Sequence, residues 1–151
     1  MIKSQTRQTA TATVTVDPSL WTEARYDEPP GQPALAQADW KQSYQGDLTG
    51  DSAVRMLIVY TAGDPAQPKT LVGDYVGFER FTGILDGRKG SFVIEFRGRH
   101  EDATVHTTGR IVPDSGTGSL AGIHGEMEIE ASDMTFLVTL HYAFSSDPDV
   151  H

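Results

Sequence analysis

The chain contains no cysteine, which excludes disulfides, thiolate metal sites and thiol nucleophiles. It has no apolar run approaching the ~20 residues that a membrane-spanning helix needs. Its opening stretch, MIKSQTRQTATATVTVD, lacks an apolar segment of signal-peptide length. A soluble cytoplasmic protein without a membrane partner is expected. Basic residues are scarce, 12 against 21 acidic, for a formal net charge of −9. Only Arg88 and Lys89 are adjacent, so no basic face exists to hold a phosphate backbone, and nucleic acid is not an expected partner. Also missing is any sustained 3.6-residue apolar period.

What is present is alternation. From Gln8 to Asp17, Ala10, Ala12, Val14 and Val16 fall on one face and Thr9, Thr11, Thr13 and Thr15 on the other, the signature of a strand. Ala38, Trp40, Gln42 and Tyr44 share a face in the next alternating stretch. Ser52 to Thr61 follows, with Val54, Met56, Ile58 and Tyr60 on one side and Leu57 and Val59 on the other, which predicts burial of both faces. Leu20 to Tyr26 reads as a short strand or an irregular segment. Proline-rich stretches at residues 27–33 and 62–69 read as loops, and the glycine-rich stretch 113–125 reads as a long loop or a bent edge strand. Thr104 to Val112, Glu126 to Glu130 and Thr135 to Phe144 complete the set. Residues 1–7 are expected to fray and residues 145–151 to form a tail. The 151 residues fit one domain, spanning 8–144. Eight or so strands joined by short turns predict a single antiparallel all-β domain, closed into a β-barrel to avoid open edges.

The segments YVGFERFTG (75–83), LDGRKGSFV (85–93) and VPDSGTGSLAGIHG (112–125), with GDLTG (46–50) more loosely, resemble the DUF3224 family, small bacterial proteins of unassigned function. The resemblance runs from about Ala36 onward. It implies an eight-stranded barrel like that of allene oxide cyclase, with a central cavity. In the family the segment after the hairpin turn reads close to FVLQH; here it is Phe92-Val93-Ile94-Glu95-Phe96. Any acid–base pair that used the family's histidine is therefore missing.

The hairpin from Leu71 to Gly98 carries the most informative residue, Glu79. A four-residue loop, Asp86 to Lys89, would place Glu79 opposite Phe96. A five-residue loop ending at Gly90 would place it opposite Arg97, and a two-residue type I′ turn at Asp86-Gly87 is the third option. The first register is favoured because Tyr75, Gly77, Glu79, Phe81, Gly83, Phe92, Ile94 and Phe96 then share one face; the third gives the same partition. Glu79 would point into an aromatic interior, where desolvation raises a carboxyl pKa and suits a general acid or base. The competing reading is an interior glutamate that only hydrogen-bonds its neighbours.

Trp40, Tyr44, Tyr60, Tyr75, Phe81, Phe92, Phe96 and Tyr142 are candidate ligand-binding aromatics, with plain core as the alternative. His106 and His141 read as surface histidines, and no two histidines share a strand face at ligand spacing, so no metal site is expected. The stretch from Asp47 to Asp51 is too short for a calcium loop. The glycines of 116–122 do not form a nucleotide cradle, and no cofactor is called for. Two functions remain. One is a barrel that binds an apolar small molecule, with Glu79 catalytic in a cofactor-free isomerase or cyclase. The other is a non-catalytic homo-oligomer, dimer or trimer, associating through Leu57, Val59 and Leu137. A cavity of about 300 Å³ or more reaching Glu79 favours the first.

Overall fold

The computed structural model describes residues 7–132 and 135–145. The expected terminal tails, 1–7 and 145–151, lie almost wholly outside the described residues. Ten strands are present: β1 (Gln8–Val16), β2 (Thr22–Asp27), β3 (Ala34–Gly46), β4 (Leu48–Asp64), β5 (Gln67–Leu85), β6 (Arg88–Glu101), β7 (Thr104–Ile111), β8 (Thr117–Gly118), β9 (Ile123–Ser132) and β10 (Thr135–Phe144). One 3-10 turn, Pro18–Leu20, starts where Asp17 accepts from the Ser19 amide. The count therefore exceeds the expected eight, because β2 and the two-residue β8 are added.

All pairings are antiparallel within one sheet, ordered β1-β10-β9-β7-β6-β5-β4-β3-β2, with β8 attached to β6. β1 bonds β10 along Gln8–Val14 and also bonds β3 along Ala12–Val16. Eight strands thus form a closed circuit of hydrogen-bonded neighbours, and β2 continues beyond it on β3.

Period-two patterning places the core. Ala10, Ala12 and Val14 are buried while the threonines between them are exposed. Ala36 and Ala38 of β3, Val54 and Ile58 of β4, and Tyr75, Phe81 and Leu85 of β5 join the same interior.

The β5–β6 turn takes the third register. Leu85 pairs with Arg88 and Glu79 with Ile94. Asp86 and Gly87 have φ of 47° and 84°, the left-handed pair of a type I′ turn, whose twist matches the flanking strands. The four-residue loop that placed Glu79 opposite Phe96 is thereby corrected, while the partition of faces stands. Two further expectations change. Residues 62–69 are not a loop: β4 and β5 run on to Asp64 and from Gln67, with register shifts after Tyr60 absorbing the irregularity. And Leu57 and Val59, 47% and 37% exposed, face outward and are not buried by any of the described residues.

Candidate functional site

The interior has two halves. In one, Tyr44, Phe81 and Phe92 stack in series, Tyr44 edge-on to Phe81 at 5.3 Å and Phe81 to Phe92 at 5.2 Å. Leu48, Leu85, Leu120 and Ile123 fill the rest of that end. Leu120 comes from the glycine-rich stretch, where its amide bonds the Thr117 carbonyl, so that stretch closes one end of the interior. The other half is a cavity of about 360 Å³. Its walls are mostly apolar: Val54, Met56, Ile58, Phe96, Val105, Ile129 and Phe136. Its outer part is lined by Trp21, Glu23, Pro68, Ala103 and His100. Trp21, just before β2, stacks on Trp40 with centroids 4.3 Å apart, which fastens the start of that edge strand over the opening.

Glu79 lies where the halves meet. It is 2% exposed, lines the cavity and bonds into the packed half. Tyr44 Oη is 2.8 Å from Oε1 and 2.9 Å from Oε2. Gln42 Nε2 donates to Oε2 at 2.9 Å. Trp40 Nε1 donates to Gln42 Oε1 at 2.9 Å, and this bond fixes which end of the Gln42 amide faces Glu79. β4 lies between β3 and β5, and opposite Gln42 and Tyr44 it presents only Ser52 and Gly50. Those small residues let the β3 side chains reach across. Ser52 Oγ is buried and makes no hydrogen bond of ordinary geometry, although it lies near enough to favour ionisation of both neighbours.

Burial pushes the Glu79 carboxyl above its ordinary pKa, against the opposing pull of Ser52, Tyr44 and Gln42. Tyr44 is pushed well above the usual phenol range, first by burial and then by the carboxylate beside it. Among the described residues no cation pairs with Glu79; all six ion pairs are on other carboxylates.

Of the aromatics singled out, the cavity brings together Trp40, Tyr60, Tyr75 and Phe96 with Glu79. Tyr75 Oη lies 2.6 Å from Thr107 Oγ1, and Tyr60 donates to Glu23. Tyr44, Phe81 and Phe92 belong to the packed half. Tyr142 is buried elsewhere, bonded to Asp86 in the β5–β6 turn and to Gln8. His106 is exposed, and His141 shares a hydrogen bond with Thr9.

Sequence reasoning missed Gln42, Ser52 and His100 as site residues. The parity of β3 already placed Gln42 between Trp40 and Tyr44 on the inner face, and an interior glutamine needs polar partners. His100 lies one residue before the end of β6, with its ring Nδ1–H given to the Leu71 carbonyl at 2.9 Å. Among the described residues no group of three histidine, aspartate or glutamate side chains is placed to hold a metal. No helix among them is long and apolar enough to cross a membrane.

The family model described as "Protein of unknown function (DUF3224)" matches residues 10–142. The chain belongs to the DUF3224 family. The crystal structure of a DUF3224 protein of unknown function from Shewanella oneidensis MR-1 is 27% identical, covering 94% of this chain and 99% of that one, with a TM-score of 0.72. No curated protein matches the chain.

Proposed function

We propose that this DUF3224 protein is a small-molecule-binding β-barrel of the allene oxide cyclase kind, acting as a cofactor-independent isomerase or cyclase on a largely apolar substrate. One observation carries the reading: an apolar cavity of about 360 Å³ that ends on a buried carboxyl. That volume exceeds the ~300 Å³ at which a pocket takes a small organic ligand. The closed circuit of eight strands supplies rigid walls, and confinement between Trp40, Tyr75 and Phe96 holds a substrate in one reactive shape. Glu79 then polarises it or takes its proton. Desolvation makes the carboxylate a stronger base than it is in water, and the Tyr44 and Gln42 donors keep it in one orientation.

The test is a ligand screen of native protein and Glu79→Gln by thermal shift, with mass-spectrometric analysis of bound and converted compounds. The expected result is stabilisation of both proteins by apolar compounds and conversion by native protein alone. Absence of binding by both would refute the chamber, and equal conversion by both would remove Glu79 from the chemistry.

A second reading, self-association without catalysis, has its own observation. Leu57, Val76 and Phe78 are 47%, 45% and 56% exposed and adjoin across β4 and β5 on the outer face, an apolar island of the kind that marks contact surfaces.

A further inference from the structure

Glu79 is a buried carboxyl whose hydrogen-bond partners are all uncharged. Both carboxyl oxygens are held by neutral donors. Gln42 Nε2 can only donate, because Trp40 Nε1 has claimed the amide oxygen, and the Tyr44 hydroxyl reaches both oxygens at 2.8 and 2.9 Å. These donors favour the anionic form of the carboxyl, against the burial that disfavours it. Yet burying an anion without a counter-charge is costly, and no lysine or arginine among the described residues lines the cavity. The other acidic side chain on its wall, Glu23, stands in its outer part, so both formal charges of the lining are negative. His100, also in the wall, has its Nδ1–H committed to the Leu71 carbonyl. The rest of the wall is apolar, aliphatic side chains such as Val54, Ile58 and Ile129 together with the aromatics Trp40, Tyr75, Phe96 and Phe136, and aromatic rings attract cations. Tyr60 already does so, with the Arg25 guanidinium 4.6 Å from its ring centroid.

We propose that the ligand is an organic monocation, a protonated amine on an apolar body, with its ammonium against Glu79 and its body among Trp40, Tyr75 and Phe96. The proposal rests on the reading of this cavity as a small-molecule chamber and is independent of whether the ligand is turned over. The ammonium supplies the missing counter-charge and donates to the side of the carboxylate that faces the cavity. A carboxylate or phosphate ligand would meet two like charges in the lining and no lysine or arginine within it, the nearby Arg25 lying over the Tyr60 ring, and the chain's net charge of −9 opposes its approach as well.

The test uses three probes of one shape: adamantylamine, adamantanol and adamantane carboxylate, titrated calorimetrically into native protein and Glu79→Gln. Native protein is expected to bind the amine at least about tenfold more tightly than the alcohol, as a charge-assisted hydrogen bond exceeds a neutral one. It should not bind the carboxylate, and Glu79→Gln should lose the preference for the amine. Should the variant fail to fold, the ranking on native protein decides alone. Equal or tighter binding of the alcohol or the carboxylate overturns the cation assignment and leaves the chamber standing. Binding of none of the three also overturns it, and the broader ligand screen then judges the chamber separately.

Discussion

Replacing Tyr44 with phenylalanine removes one hydroxyl and leaves the ring that packs edge-on against Phe81. What is lost is the donor shared by the two oxygens of Glu79, and the cost depends on the charge of that carboxyl. A hydrogen bond to a charged group contributes about 1.5–3 kcal/mol and one between neutral groups about 0.5–1.5. Tyr44→Phe should therefore destabilise the protein by about 1 kcal/mol more when Glu79 is ionised than when it is protonated, which raises the folded-state pKa of the carboxyl further. The sign follows from burial. Glu79 holds its proton to higher pH in the folded chain than in the unfolded one. Stability from this group is thus fully present below the unfolded pKa and is lost as pH rises through the folded pKa. Removing Tyr44 Oη takes away one of the groups that oppose the rise, so the variant should lose stability over a wider pH interval. Urea unfolding of both proteins at several pH values between about 4 and 8 measures this, with unchanged m-values confirming that only stability moved. A constant difference across the range, or a larger one at acid pH, would refute the charge-dependent account of the cluster.

Two other substitutions probe different parts of the structure. At Gly98 an added Cβ would lie 2.4 Å from the Tyr75 hydroxyl and 2.6 Å from the His106 carbonyl. Gly98→Ala should therefore displace Tyr75 from Thr107 and cost about 1–3 kcal/mol, read as a lower urea midpoint. Phe78, the most exposed member of the outer apolar island, should tolerate Phe78→Glu within about 0.5 kcal/mol. If the island holds copies together, light scattering will report a smaller mass for the variant than for native protein; equal masses dissociate the island from assembly.

Much of the fold was legible in the residues because a strand alternates its faces every residue. Ala10, Ala12 and Val14 declare an inner face without any partner in view. The inward direction of Glu79 followed even though the favoured turn was displaced by two positions, since a shift of two preserves parity and a shift of one reverses it. The register itself was settled by Asp86 and Gly87, both of which take left-handed backbone angles that make a two-residue turn fit the twist of the strands. Period two also counts strands, but it is weak for short ones, and so β8 went unseen and the eight expected strands became ten.

Which interior residues meet one another was not legible. Gln42 and Tyr44 lie 37 and 35 positions before Glu79 in sequence, and they touch it because two turns fold β3, β4 and β5 side by side with only Ser52 and Gly50 intervening. Alternation says that an aromatic points inward; it does not say how far along the interior that aromatic sits. Phe81 and Phe92 therefore fill one half while Tyr75 and Phe96 border the cavity in the other. Leu120, carried by a loop with no period to read, helps close the packed end. By itself the sequence determined an all-β chain with an acidic side chain on its inner face, because those properties depend on neighbours along the strand. The tertiary structure alone decided that the interior is half open and that Glu79 has neutral donors and, among the described residues, no cation, because those depend on strands brought together from distant parts of the chain.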